Sequence, residues 1–77
     1  MLKAKFIYCR FYSFDDKNGQ HQEGYSMRCF YNNDIVKVSV DPESAKRLLA
    51  TGITFGDDIE LDVAVRGNFA NYVYIAA

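Results

Sequence analysis

The chain has 77 residues, with nine Lys plus Arg against ten Asp plus Glu, one His, one Pro and two Cys, and 49% of it is apolar. That is one domain, residues 1–77, and a high apolar fraction with a net charge of −1 excludes disorder. Two Cys are too few for a disulfide-dense scaffold, and no run suits a membrane helix or a secretory leader, so a cytoplasmic protein with no membrane contact is expected.

The first segment, Leu2–Phe14, is rich in aromatics and alternates. Leu2, Ala4, Phe6 and Tyr8 share one face, and Lys3, Lys5 and Ile7 the other. Past Tyr8, Cys9 and Phe11 compete with Arg10 and Tyr12 for the inward set. The switch predicts a β-bulge near Cys9–Arg10, with two short strands as the alternative. Asp15–Gly24 has no apolar residue and carries the turn signal Lys17-Asn18-Gly19, so it reads as an exposed hairpin loop. Alternation resumes over Tyr25–Asn32. Met27 and Cys29 look inward with Tyr25 and Tyr31, which leaves Arg28 and Phe30 outward. Asn32-Asn33-Asp34 is a turn. In the strand Ile35–Val40, Val36, Val38 and Val40 oppose Ile35, Lys37 and Ser39.

The period then changes. Asp41 suits a helix cap, Pro42 the first helical position and Glu43 the positive end of the helix dipole. Ala45, Leu48 and Leu49 follow at helical spacing, and Gly52 suits a terminus, so the helix covers about Pro42–Thr51. Asp58–Arg66 returns to alternation, Ile59, Leu61, Val63 and Val65 against Glu60, Asp62, Ala64 and Arg66. Gly67-Asn68 is a two-residue hairpin signal, and Phe69–Ala76 is the last strand. With Val73 and Ile75 inward, Tyr72 and Tyr74 point outward.

The order is β-β-β-α-β-β. It predicts an all-β fold, a five-stranded OB-type barrel with one short helix between strands 3 and 4. An SH3-like barrel is the main rival, but it needs no capped helix at that place. A split α+β sheet is the third choice.

Little supports catalysis. His21 lies in a polar loop with no Ser or Cys nucleophile beside it. Asp57, Asp58, Glu60 and Asp62 read as a solvated strand face, and Cys9 and Cys29 as free thiols. No enzyme, cofactor or metal site is expected. The aromatics say more, since six Phe and six Tyr exceed what a small barrel interior needs. Outward aromatics beside Arg or Lys form a stacking platform for single-stranded nucleic acid. The expected stacking residues are Tyr12, Phe30, Tyr72 and Tyr74, and the expected phosphate partners are Arg10, Lys17, Arg28 and Lys37. Residues 1–40 carry six basic and four acidic residues, and residues 41–77 three basic and six acidic, so the basic surface belongs to the N-terminal half.

The segment Phe14–Met27, with a polar tip holding two glycines and then Tyr25-Ser26-Met27, resembles the first long hairpin of the small single-stranded DNA-binding proteins of filamentous phages. Ile35–Asp41 is similar to that family's hydrophobic strand before its helical link. The resemblance implies an OB-type barrel, a homodimer and cooperative coating of single-stranded DNA. The family's tip is basic, whereas this one sets Lys17 among Asp15, Asp16 and Glu23. The expected function is sequence-tolerant binding of single-stranded DNA, or of RNA by the same chemistry, in a phage or mobile element. The alternative is a small protein-interaction or assembly module using the same aromatics. Uncharged Phe69–Ala76 is the expected contributor to the dimer.

Overall fold

A computed structural model describes residues 2–76. The strands are β1 (Leu2–Asp15), β2 (His21–Tyr31), β3 (Asp34–Val40), β4 (Asp58–Arg66) and β5 (Phe69–Tyr74), and helix α1 (Pro42–Ala50) lies between β3 and β4. The strands close into a ring in the order β1-β2-β3-β5-β4, with β4 returning to β1. This is the expected OB-type arrangement. All pairs are antiparallel except β3 with β5.

Local chemistry sets the joints. Asn32 and Asn33 adopt φ of 53° and 63°, so the two-residue β2–β3 turn needs the left-handed region twice, which Asn tolerates. Gly67, at φ 58°, opens the two-residue β4–β5 turn. Asp41 caps α1 by accepting the Ser44 N–H at 3.0 Å, and Pro42 follows it. Buried Ser44 in turn accepts the Ala76 N–H at 3.1 Å, tying the segment after β5 to the helix.

The core is built from alternate residues of the ring: Ala4, Phe6, Met27, Cys29, Val38, Ile59 and Leu61, with Leu48 from α1. Three expectations are corrected. The bulge falls between Phe6 and Tyr8, not near Cys9–Arg10, so Ile7 is the extra residue and Tyr8 leaves the inward set. The polar loop is shorter than Asp15–Gly24, because His21–Gly24 pairs with Tyr12–Asp15 as a continuation of the hairpin. Tyr72 and Tyr74 point inward, not outward. Parallel pairing sets them beside Val38 and Val40, and both pack on the core, Tyr72 with its ring 5.7 Å from that of Tyr31.

Three surface carboxyls are held below the ordinary carboxylate range. Asp41 is lowered by the Ser44 hydroxyl and N–H, Asp58 by the Lys5 ammonium, and Asp16 chiefly by the Gln20 N–H, with Asn18 and Gln22 adding to it. A depressed folded pKa gives stability that is complete above the unfolded value and lost as pH falls through the folded one. Thermal melts should therefore be flat from about pH 7 to about pH 5 and fall below about pH 4. A melting temperature unchanged at pH 3 would show that these contacts contribute nothing.

Candidate nucleic-acid interface

The bulge at Ile7 decides what the outer face of β1, β2 and β3 displays. Before it, Ala4 and Phe6 face the core; after it, Cys9 takes the inward place opposite Met27. Tyr8, Arg10, Tyr12 and Phe14 consequently share the outer face. Register adds Phe30, Arg28, Ser26 and Gly24 from β2, and Ile35, Lys37 and Ser39 from β3. The face therefore interleaves aromatic and cationic side chains and carries no carboxylate from Tyr8 to Phe14.

Its centre is a row across three strands. Arg28 stands directly between Tyr8 on β1 and Lys37 on β3. Like charges placed opposite each other on a sheet repel, and no carboxylate is set between these two. Arg28 Nη1 is buried and has no acceptor among the described residues. A buried donor without a partner is costly. Among the described residues none of Arg10, Lys17, Arg28 and Lys37 enters a salt bridge. Arg10 instead lies over the Tyr8 ring, 4.6 Å from its centroid.

The aromatics above that row are already arranged. Tyr12 and Phe14 stack with centroids 6.1 Å apart and planes 26° from parallel. Tyr12 is 43% exposed, as is Phe30. Tyr12 lies across β2 because its register partner is Gly24: a Cβ there would meet the Tyr12 hydroxyl oxygen at 2.9 Å. The ring thus occupies the space that a side chain would take. Beside it, Tyr12, Ser26, Lys37 and Ser39 line an open groove of about 540 Å³. Gly24→Ala should keep the fold, since any strand residue suits that backbone, while pushing the Tyr12 ring aside. The expected result is native circular dichroism with oligonucleotide affinity reduced toward that of a Tyr12→Ala variant. Undiminished affinity would mean that the ring's position is immaterial.

The acidic residues of the hairpin do not interrupt this surface. Glu23 and His21 pair with Ser13 and Asp15, on the opposite face of the ribbon. There His21 lies between Asp15, 3.1 Å from Nδ1, and Glu23, 3.4 Å from Nε2. Asp16 is engaged by the turn, accepting the N–H groups of Asn18 and Gln20, each at 2.9 Å. Lys17 is exposed in that turn.

Of the residues singled out in the sequence, Arg10, Tyr12, Arg28, Phe30 and Lys37 share one face, and Lys17 stands at its hairpin end. Tyr72 and Tyr74 lie apart, against the core. Tyr8, Phe14 and Ile35 belong to the face and were missed. The i, i+2 spacing of Tyr8, Arg10, Tyr12 and Phe14 is the signal that finds them, once the bulge is placed before Tyr8.

Below the central row the face turns apolar. Ile7, Phe30, Ile35 and Phe55 line a hollow of about 460 Å³ with the stem of Lys5. Phe55 is held there by its loop, where Gly56 donates its N–H to the Phe6 carbonyl and Asp57 accepts the Phe6 N–H, both at 2.8 Å. Among the described residues no helix is long and apolar enough to cross a membrane. Comparison with protein-family models, curated proteins and solved structures found no match.

Proposed function

We propose that this protein binds single-stranded DNA with little regard to sequence, acting by binding and not by catalysis, on the outer face of β1, β2 and β3. The observation that carries this reading is the row Tyr8–Arg28–Lys37, where two adjacent cations, without a salt bridge among the described residues, stand beside aromatic rings with no carboxylate between them. A phosphodiester relieves the repulsion, and bases stack on Tyr12, Phe14 and Phe30. The expected phosphate partners are Arg10, Arg28 and Lys37, with Lys17 at the hairpin end. RNA offers the same phosphates and π faces. The reading includes action as a homodimer in a phage or mobile element, in keeping with the resemblance in the hairpin sequence.

The apolar hollow at Phe30, Ile35 and Phe55 favours the competing reading, a protein-interaction module. Anisotropy titrations of labelled oligo-dT and oligo-rU separate the two. Four phosphate contacts on a single strand give a log–log salt slope of about −3, at about −0.7 per contact. No binding at about 10–100 µM protein in low salt, where nonspecific binders already respond, would overturn the nucleic-acid reading.

A further inference from the structure

Among the described residues, β1 beyond the bulge is paired along one side only. β4 covers Leu2–Lys5 and the turn before β4 covers Phe6, but Tyr8–Asp15 has β2 alone. The direction of its backbone groups follows from Phe6. Phe6 sends its N–H to Asp57 and takes the Gly56 N–H on its carbonyl, so both groups point away from β2. Phe6 and Cys29 are therefore a non-hydrogen-bonded pair. Two residues along β2, Met27 with Cys9 is the same kind of pair, and Tyr25 with Phe11 and Glu23 with Ser13 follow. The N–H and C=O groups of Cys9, Phe11 and Ser13 thus form an open row at a sheet edge.

Proteins usually blunt such an edge with Lys, Pro or a covering segment. Tyr8–Phe14 carries a single charge, Arg10, and neither Lys nor Pro. Phe11 is 58% exposed on it. β5, the strand expected to mediate self-association, is instead paired with β4 at Phe69–Val73 and with β3 at Tyr72–Tyr74.

We propose that the Tyr8–Phe14 edge of β1 pairs antiparallel with the same edge of a second copy, about a two-fold axis at Phe11. This names the interface of the homodimer proposed above and rests on that part of the reading, not on DNA binding. The register is chosen by side-chain complementarity. With the axis at Phe11, Arg10 meets the partner's Tyr12 and Tyr8 meets the partner's Phe14, each contact occurring twice, and Phe11 meets its own copy. A cation over a tyrosine ring and aromatic cross-strand pairs are favourable contacts. An axis at Arg10 would oppose two guanidinium groups. An axis at Tyr12 would oppose Cys9 and the partner's Asp15. The hydrogen-bonding residues agree with the Phe11 axis, since Phe11 pairs with itself and Cys9 with the partner's Ser13, all from the open row. Pairing in this way joins the two outer faces into one aromatic and cationic surface.

Sedimentation velocity of the full chain at about 100 µM, where an interface of standard size is saturated, should show twice 8.8 kDa. Ser13→Pro removes an N–H that points away from β2, so it spares the hairpin ladder and should weaken the dimer roughly tenfold or more. Phe11→Cys in a Cys9→Ser background should cross-link to its copy on oxidation, and Tyr12→Cys in that background should not. A wild-type monomer would overturn both the homodimer and this interface. A wild-type dimer that ignores Ser13→Pro and leaves Phe11→Cys uncross-linked, with native circular dichroism, would overturn the interface alone.

Discussion

Tyr12→Ala is expected to weaken binding of a single-stranded oligonucleotide about 5- to 150-fold, the equivalent of one stacked base at about 1–3 kcal/mol. The magnitude follows from placement. Tyr12 is partly exposed, stacked on Phe14, laid over Gly24, and beside the groove that holds Lys37. Its ring is therefore ordered before a base arrives, and little of the stacking energy is spent on arranging it. Its removal takes nothing from the buried cluster, so at a protein concentration low enough to keep the chain monomeric the melting temperature should change little. Anisotropy titration beside a Phe69→Ala control is the check, because Phe69 is exposed on β5, a strand that contributes no residue to the proposed face. An affinity within about twofold of wild type, well below the loss of one stack, would remove Tyr12 from the site.

The parts of the fold that were readable in the sequence are those fixed by neighbours along the chain. Asp41-Pro42-Glu43 announces α1 because a cap, a fixed φ and a favourable dipole contact are all local. Ile59, Leu61, Val63 and Val65 announce β4 because their alternation is unbroken. The parts that misled depend on distant partners. Tyr72-Val73-Tyr74-Ile75 is apolar on both faces, so its own pattern does not say which side is inward. Parallel pairing with Val38 and Val40, more than thirty positions away in sequence, decides it. His21-Gln22-Glu23 is polar yet extended, because the β1–β2 hairpin runs past the ring and its pairing needs no buried face there. The bulge is the costliest misplacement. Moving it from Cys9–Arg10 to Ile7 turns Tyr8 outward and completes the row with Arg28 and Lys37. The cations themselves were readable from Met27 and Cys29 on one strand and Val36 and Val38 on the next, whose inward places leave Arg28 and Lys37 outside.

Met27→Ala is expected to lower unfolding stability by about 2–5 kcal/mol, as truncation of a fully buried Met does. Met27 is completely buried and stands in register between Cys9 on β1 and Val38 on β3, so it joins three strands of the ring at one level. The surrounding backbone is held by ladders on both sides and has little freedom to collapse into the space left, which favours the upper part of that range. A domain of this size sits toward the low end of ordinary stabilities, about 5–15 kcal/mol, so the variant should be partly unfolded near body temperature. Each kcal/mol corresponds to about 4–8 °C in melting temperature for such a chain. Urea titration at fixed protein concentration is the measurement, since a dimer makes stability depend on concentration. Met27→Leu keeps the volume and should cost less than about 1.5 kcal/mol. A loss below about 1 kcal/mol for Met27→Ala, less than any ordinary large-to-small core change, would mean that the ring closes over the cavity and that Met27 is not its keystone. Oligonucleotide binding supplies a second readout. Met27 faces away from the proposed surface, so in conditions where the variant stays folded its affinity should match wild type, whereas Tyr12→Ala should show the reverse combination of native monomer stability and lost affinity.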